Sequence, residues 1–139
     1  MNLKYSHDLE NENKIKDIVE KLGLNYINSD FIKCVSSKKS SSKRIIARLH
    51  PSLKICSFAF NLNPMYIIEL VSENFNKLNE EDKIKVFIHE LLHIPKTFSG
   101  AARNHEQLDK KLSNGKMSKY LNSECKTINY LYNEYCKRK

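Results

Sequence analysis

The chain has 139 residues and carries 24 Lys plus Arg against 16 Asp plus Glu, a formal net charge of +8 at pH 7. That length supports one hydrophobic core and shows no internal repeat, so a single domain over 1–139 is expected. No apolar run nears the roughly 20 residues of a membrane span, and an opening that holds Asp8, Glu10 and Glu12 does not read as a signal peptide, which together predict a soluble, cytoplasmic protein.

Ile15, Ile18, Val19 and Leu22 recur at helical spacing after an acidic start, and Gly23 closes that helix. Residues 31–36 alternate as a strand does, and the Ser/Lys-rich run 36–43 has no apolar residue and predicts a loop or hairpin tip. A second strand is expected over 44–49. Residues 52–62 suit a short helix or a strand, with helix preferred. Tyr66–Val71, β-branched and aromatic behind Asn63-Pro64, predicts a third strand.

Next comes a well-marked helix. Asn79 is its N-cap, Glu80, Glu81 and Asp82 fill its first turn, and Ile84, Phe87, Ile88 and Leu91 form the stripe that packs on a core. Pro95 stops it just after His93. A last helix is expected over about 118–137, with Leu121, Cys125, Ile128, Leu131 and Tyr135 on one face. Helix, small sheet, helix, irregular loop and helix make an α+β order.

The central helix ends in His89-Glu90-Leu91-Leu92-His93, an HExxH sequence. Positions four apart on a helix are rotated by about 400°, so both imidazoles can reach one metal ion from neighbouring turns. Zinc takes imidazole nitrogen at about 2.0–2.1 Å, and a catalytic site uses three protein ligands with one position for water. Glu90, about 100° around the helix from His89, is placed to take a proton from that water rather than to bind the ion. Here the histidines flank the apolar stripe, where they could line a groove.

A third ligand has to come from elsewhere. His105 is the one histidine downstream, and an irregular connection with a turn at Gly100 can bring it back to the helix. Glu106 and Asp109 are the fallback carboxylates. His7 and His50 read as surface histidines. A methionine turn at Met117 would suggest a metzincin, but that class needs a histidine six residues after His93, where Ser99 stands. Cys34, Cys56, Cys125 and Cys136 form no CxxC pair, which argues against a second, structural zinc site. Buried free thiols are expected, with a Cys125–Cys136 bridge the minor alternative.

Residues 44–48 (RIIAR), 66–70 (YIIEL), 75–78 (FNKL), HELLHIP at 89–95 and FSG at 98–100, ending on His105, together resemble a family of small metallopeptidases of archaea and phages. The likeness covers residues 43–109, and HELLHIP followed by an aromatic, a glycine turn and a histidine is its specific part. It implies a minimal zincin-like domain: a small β-sheet packed with an N-terminal helix, an HExxH active-site helix and a C-terminal helix. In such a domain His89, His93 and His105 hold one Zn2+ per chain and Glu90 is the general base. The chain departs from the pattern at one point, where a Gly-Gly pair is replaced by Gly100-Ala101.

The expected reaction is hydrolysis of a peptide or protein substrate by a zinc-bound water that Glu90 activates. Arg103 and Tyr120 are candidate oxyanion donors by nearness in sequence. An extended substrate would add to a sheet edge, and Tyr66–Val71 is the strand nearest the site helix in sequence. The competing reading is a non-catalytic, metal-stabilised binding module associated with nucleic acid through the basic charge. Without an aromatic-basic stacking motif or a recognition helix, a solvated lysine-rich surface is preferred over nucleic-acid binding. The 36–43 run and the Lys137-Arg138-Lys139 tail are the first places for such contacts.

Overall fold

A computed structural model describes residues 3–40, 44–103 and 126–139, and over these the chain follows an α+β order. The elements are β1 (Lys4–His7), α1 (Leu9–Lys21), β2 (Ile32–Lys38), β3 (Ala47–Pro51), α2 (Lys54–Ala59), β4 (Tyr66–Val71), α3 (Ser72–Phe75), α4 (Glu80–Leu92) and α5 (Lys126–Arg138). A 3-10 turn at Ser29–Phe31 leads into β2.

The four strands form one mixed sheet in the order β1-β2-β4-β3. β2 and β4 run parallel in its centre, with Ile32 opposite Tyr66 and Cys34 opposite Ile68, while β1 and β3 pair antiparallel on either side. Alternation along the strands turns Ile32 and Cys34 of β2 and Tyr66, Ile68 and Leu70 of β4 toward the core. Ala47 and Leu49 of β3 pack on the same cluster. Helices cover this face: Ile15, Ile18 and Val19 from α1, Ile84, Phe87, Ile88 and Leu91 from α4, and Ile128 and Tyr135 from α5 all join the one buried cluster. The Tyr135 hydroxyl donates to Asp17 at 2.7 Å and Arg138 donates to the Lys21 carbonyl at 2.9 Å, which ties α5 to α1.

β4 has the bounds expected from sequence, and α1 ends as predicted, with Gly23 in the left-handed region at φ +64°. β1 was not predicted because all four of its residues are exposed; its ladder to β2, rather than an apolar face, holds it. β3 lies three residues later than the expected start, and Pro51 ends it on the sheet's outer side, where a missing N–H is tolerated. The preferred helix within 52–62 is present as α2, but it is only six residues long and none of its residues is buried. β2 runs on to Lys38 into the segment predicted as loop, and 41–43 lie outside the described residues. Of the predicted C-terminal helix, 118–125 also lie outside them.

The expectation of buried thiols holds for Cys34 alone among the described cysteines. Cys56 is on α2, which turns no face inward, and Cys136 is exposed near the end of α5. Cys125 is outside the described residues. No helix among the described residues is long and apolar enough to cross a membrane.

Candidate metal centre

α4 is built as its sequence demands. The Asn79 side chain accepts the Asp82 N–H at 2.8 Å, three acids meet the positive end of the helix dipole, and the buried stripe seats the helix on the sheet. The helix ends at Leu92, and His93 is its C-cap with φ −68°. His89 and Glu90 therefore project from the last helical turn, and His93 stands where the chain turns into the loop.

The three side chains converge. His89, Glu90 and His93 each bring a ligand atom within 4.8 Å of the others. The imidazoles stand edge to face with centroids 4.8 Å apart, and their Nε2 atoms are 3.2 Å apart. Two nitrogens on a tetrahedral zinc at about 2.0–2.1 Å are separated by about 3.3 Å, so the spacing of the pair matches that of two ligands to one ion. All three are more deeply set than a groove lining requires: His89 is 1%, Glu90 4% and His93 6% exposed. The loop after α4 returns to His93 through Arg103.

That return has a defined structure. The Phe98 N–H donates to the Pro95 carbonyl at 2.9 Å, and Phe98 and Gly100 take left-handed backbone at φ +48° and +89°. Positive φ at Gly100 agrees with the turn expected there. The loop returns to His93, where the Arg103 N–H donates to the His93 carbonyl at 2.6 Å and His93 Nδ1 meets the Arg103 carbonyl at 2.5 Å. A carbonyl only accepts, so the proton of this bond belongs to Nδ1, and the Nε2 lone pair faces His89. Such a carbonyl partner orients a ligating imidazole and raises its basicity.

Glu90 is treated differently. Its Oε2 is buried and, among the described residues, meets no hydrogen-bond partner. Burial pushes its carboxyl up to about 8. A carboxylate left this way beside two convergent imidazoles suits a proton acceptor facing a ligand.

Arg103, a candidate oxyanion donor, contributes its backbone to this arrangement. The third-ligand candidate His105, its fallbacks Glu106 and Asp109, and Tyr120 and Met117 all lie outside the described residues. His7 is exposed on β1, as a surface histidine should be. His50 is more than that: its Nε2 lies 2.7 Å from Oε1 of Glu69, a buried residue of β4 that also accepts the Ser37 hydroxyl at 2.6 Å. Burial alone would raise the Glu69 carboxyl, but the bonds from Ser37 and His50 and the charge of Arg48 hold it below its ordinary value. Sequence gave no sign of this cluster because its members come from three strands.

Sequence reasoning also passed over Tyr66. Its ring is buried at the start of β4 and meets Phe98 edge-on at 5.1 Å. Its hydroxyl donates to the Ala101 carbonyl at 2.7 Å and accepts the Gly100 N–H at 2.9 Å. A tyrosine where the strand needs only an apolar residue was the available signal, because a buried hydroxyl has to find a partner.

A family model described as "Putative phage metallopeptidase" matches residues 3–137. No curated protein and no solved structure matches the chain.

Proposed function

The chain belongs to this phage metallopeptidase family, and from that premise we propose that it is a zinc-dependent peptidase of one 139-residue domain. In this reading His89 and His93 hold the ion, His105 completes the ligand set and Glu90 is the general base. The observation that carries the proposal is the buried Glu90 carboxylate, without a hydrogen-bond partner on Oε2 among the described residues, beside two imidazoles whose Nε2 atoms are 3.2 Å apart. A metal site kept only for stability gains nothing from that carboxylate and bears the cost of burying it.

Bound zinc supplies Lewis acidity and lowers the pKa of the attacking water. Glu90 accepts the proton as the water oxygen bonds to the amide carbon, and returns it to the nitrogen as the C–N bond breaks. His93, fixed by the Arg103 carbonyl, leaves its Nε2 lone pair beside His89 Nε2, where it would be available to hold the ion. β4 is flanked by β2 and β3, so it cannot be the strand that offers an edge. β3 can: among the described strands it pairs on one side only, and it packs against α4. An extended peptide adding to β3 would satisfy its backbone there and lie beside the helix that bears Glu90.

The test joins metal content to hydrolysis of an unfolded protein, with and without chelator. We expect about one zinc per chain, chelator-sensitive cleavage, loss of metal in His105→Ala, and a Glu90→Gln variant that keeps its zinc and cleaves nothing. Cleavage by fully metallated Glu90→Gln at the parent's rate would overturn the assignment.

A further inference from the structure

We propose that Tyr66 is a positioning residue for the metal centre: its hydroxyl pins the loop 98–103 so that the Arg103 carbonyl holds His93 in its ligating tautomer. The assignment rests on reading His93 as a metal ligand. It begins from an accounting of the loop's backbone. Residues 93–103 lie outside the helices and strands, so no ladder bonds serve their N–H and C=O groups. Gly100 is buried and its N–H goes to the Tyr66 hydroxyl, while the carbonyl of the following residue, Ala101, takes the hydroxyl's own proton. One side chain thus uses its acceptor and its donor on consecutive residues of the loop.

Two residues on, Arg103 engages His93 through both its N–H and its carbonyl. Ala101 and Arg103 are at most about 7 Å apart along the chain, so a shift at one is felt at the other. Phe98 turns the chain ahead of this clamp at φ +48°, and its ring meets the Tyr66 ring edge-on. The loop is therefore clamped at one end by His93 and in its middle by Tyr66.

A ring without a hydroxyl would fill the same core space. What the hydroxyl adds is directed at the loop alone, and through the loop at the tautomer of His93. Tyr66 touches no reacting atom in this scheme; it acts through Arg103.

The test compares the parent with Tyr66→Phe and with Phe98→Leu, which loses the ring contact and leaves the hydroxyl. Zinc affinity is measured by competition with a chromophoric chelator across pH, and the site of the cobalt-loaded protein is read from its visible spectrum. We expect Tyr66→Phe to keep the parent's circular dichroism and to bind zinc about 10- to 100-fold more weakly. Its uptake curve should move to higher pH and its cobalt spectrum should change. Phe98→Leu should stay within a few-fold of the parent with the parent's spectrum. Parent-like zinc affinity and spectrum in Tyr66→Phe would overturn the assignment, as would a loss in Phe98→Leu equal to that in Tyr66→Phe, which would make the ring and not the hydroxyl the cause. Should Tyr66→Phe fail to fold, the same reading predicts a slowly exchanging His93 Nδ1 proton in the zinc-loaded parent, and a rapidly exchanging one would count against it. A parent that takes up neither zinc nor cobalt would overturn the metal reading itself, a result distinct from a Tyr66 variant that differs from a metal-binding parent.

Discussion

Glu69 and Glu90 are both buried, one in the centre of the sheet and one at the end of α4, and their surroundings treat the two carboxylates in opposite ways. Around Glu69 the neighbouring strands supply the Ser37 hydroxyl and the His50 imidazole, with Arg48 close by, and the group is held ionised. Around Glu90 burial acts alone and the carboxyl is pushed up to about 8. A satisfied buried charge cross-links three strands and has little capacity left for chemistry. One whose Oε2 meets no partner among the described residues costs stability and keeps its capacity for a ligand, which is why the second glutamate and not the first is read as the base.

The comparison breaks first, and by the largest margin, at Glu90. Glu90→Gln should lower peptide hydrolysis by about 1000-fold or more while zinc content stays at the parent's level. Its melting temperature should not fall, because the amide removes a buried group that burial alone disfavours as an ion; a large drop in melting temperature would show that Glu90 is structural after all. Glu69→Gln should do the converse. Denaturant titration should show a loss of about 1–3 kcal/mol, with cleavage per folded molecule unchanged.

Acid sharpens the contrast. The Glu69 carboxyl is lowered in the folded chain from an ordinary 4.5, so its contribution is present in full above that value and is lost as pH falls through the folded value. The stability gap between the parent and Glu69→Gln should therefore be constant near neutrality and shrink below about pH 4.5. The smallest effect belongs to an exposed glutamate. Glu80 meets Lys14 at 2.9 Å between α4 and α1, with solvent around it, and Lys14→Ala should change stability by no more than about 0.5 kcal/mol in the same titration.

How much of this the sequence disclosed depended on whether the signal was local. The Asn79 cap, the three acids and the apolar stripe of α4 lie within a dozen residues, and the positions of His89, Glu90 and His93 on that helix follow from them. β4 was legible for the same reason, four of its six residues being β-branched or aromatic in one run. β1 was not, since no residue of it is buried. The Glu69 cluster joins positions 37, 50 and 69, and the Tyr66 clamp joins 66 to 100 and 101; only strand order and loop path bring these together. The third ligand and the second oxyanion candidate fall outside the described residues, so His105 stands as a proposal drawn from reach and resemblance.

The docking of α5 on α1 and α4 has a consequence for when the core is complete. Ile128 and Tyr135 complete the cluster that backs α4, and they are made more than thirty residues after His93. During synthesis α4 follows the sheet and α1 on which it packs, and only the part of the cluster that α5 supplies is still missing. The core that backs the candidate site is then complete only once α5 has docked.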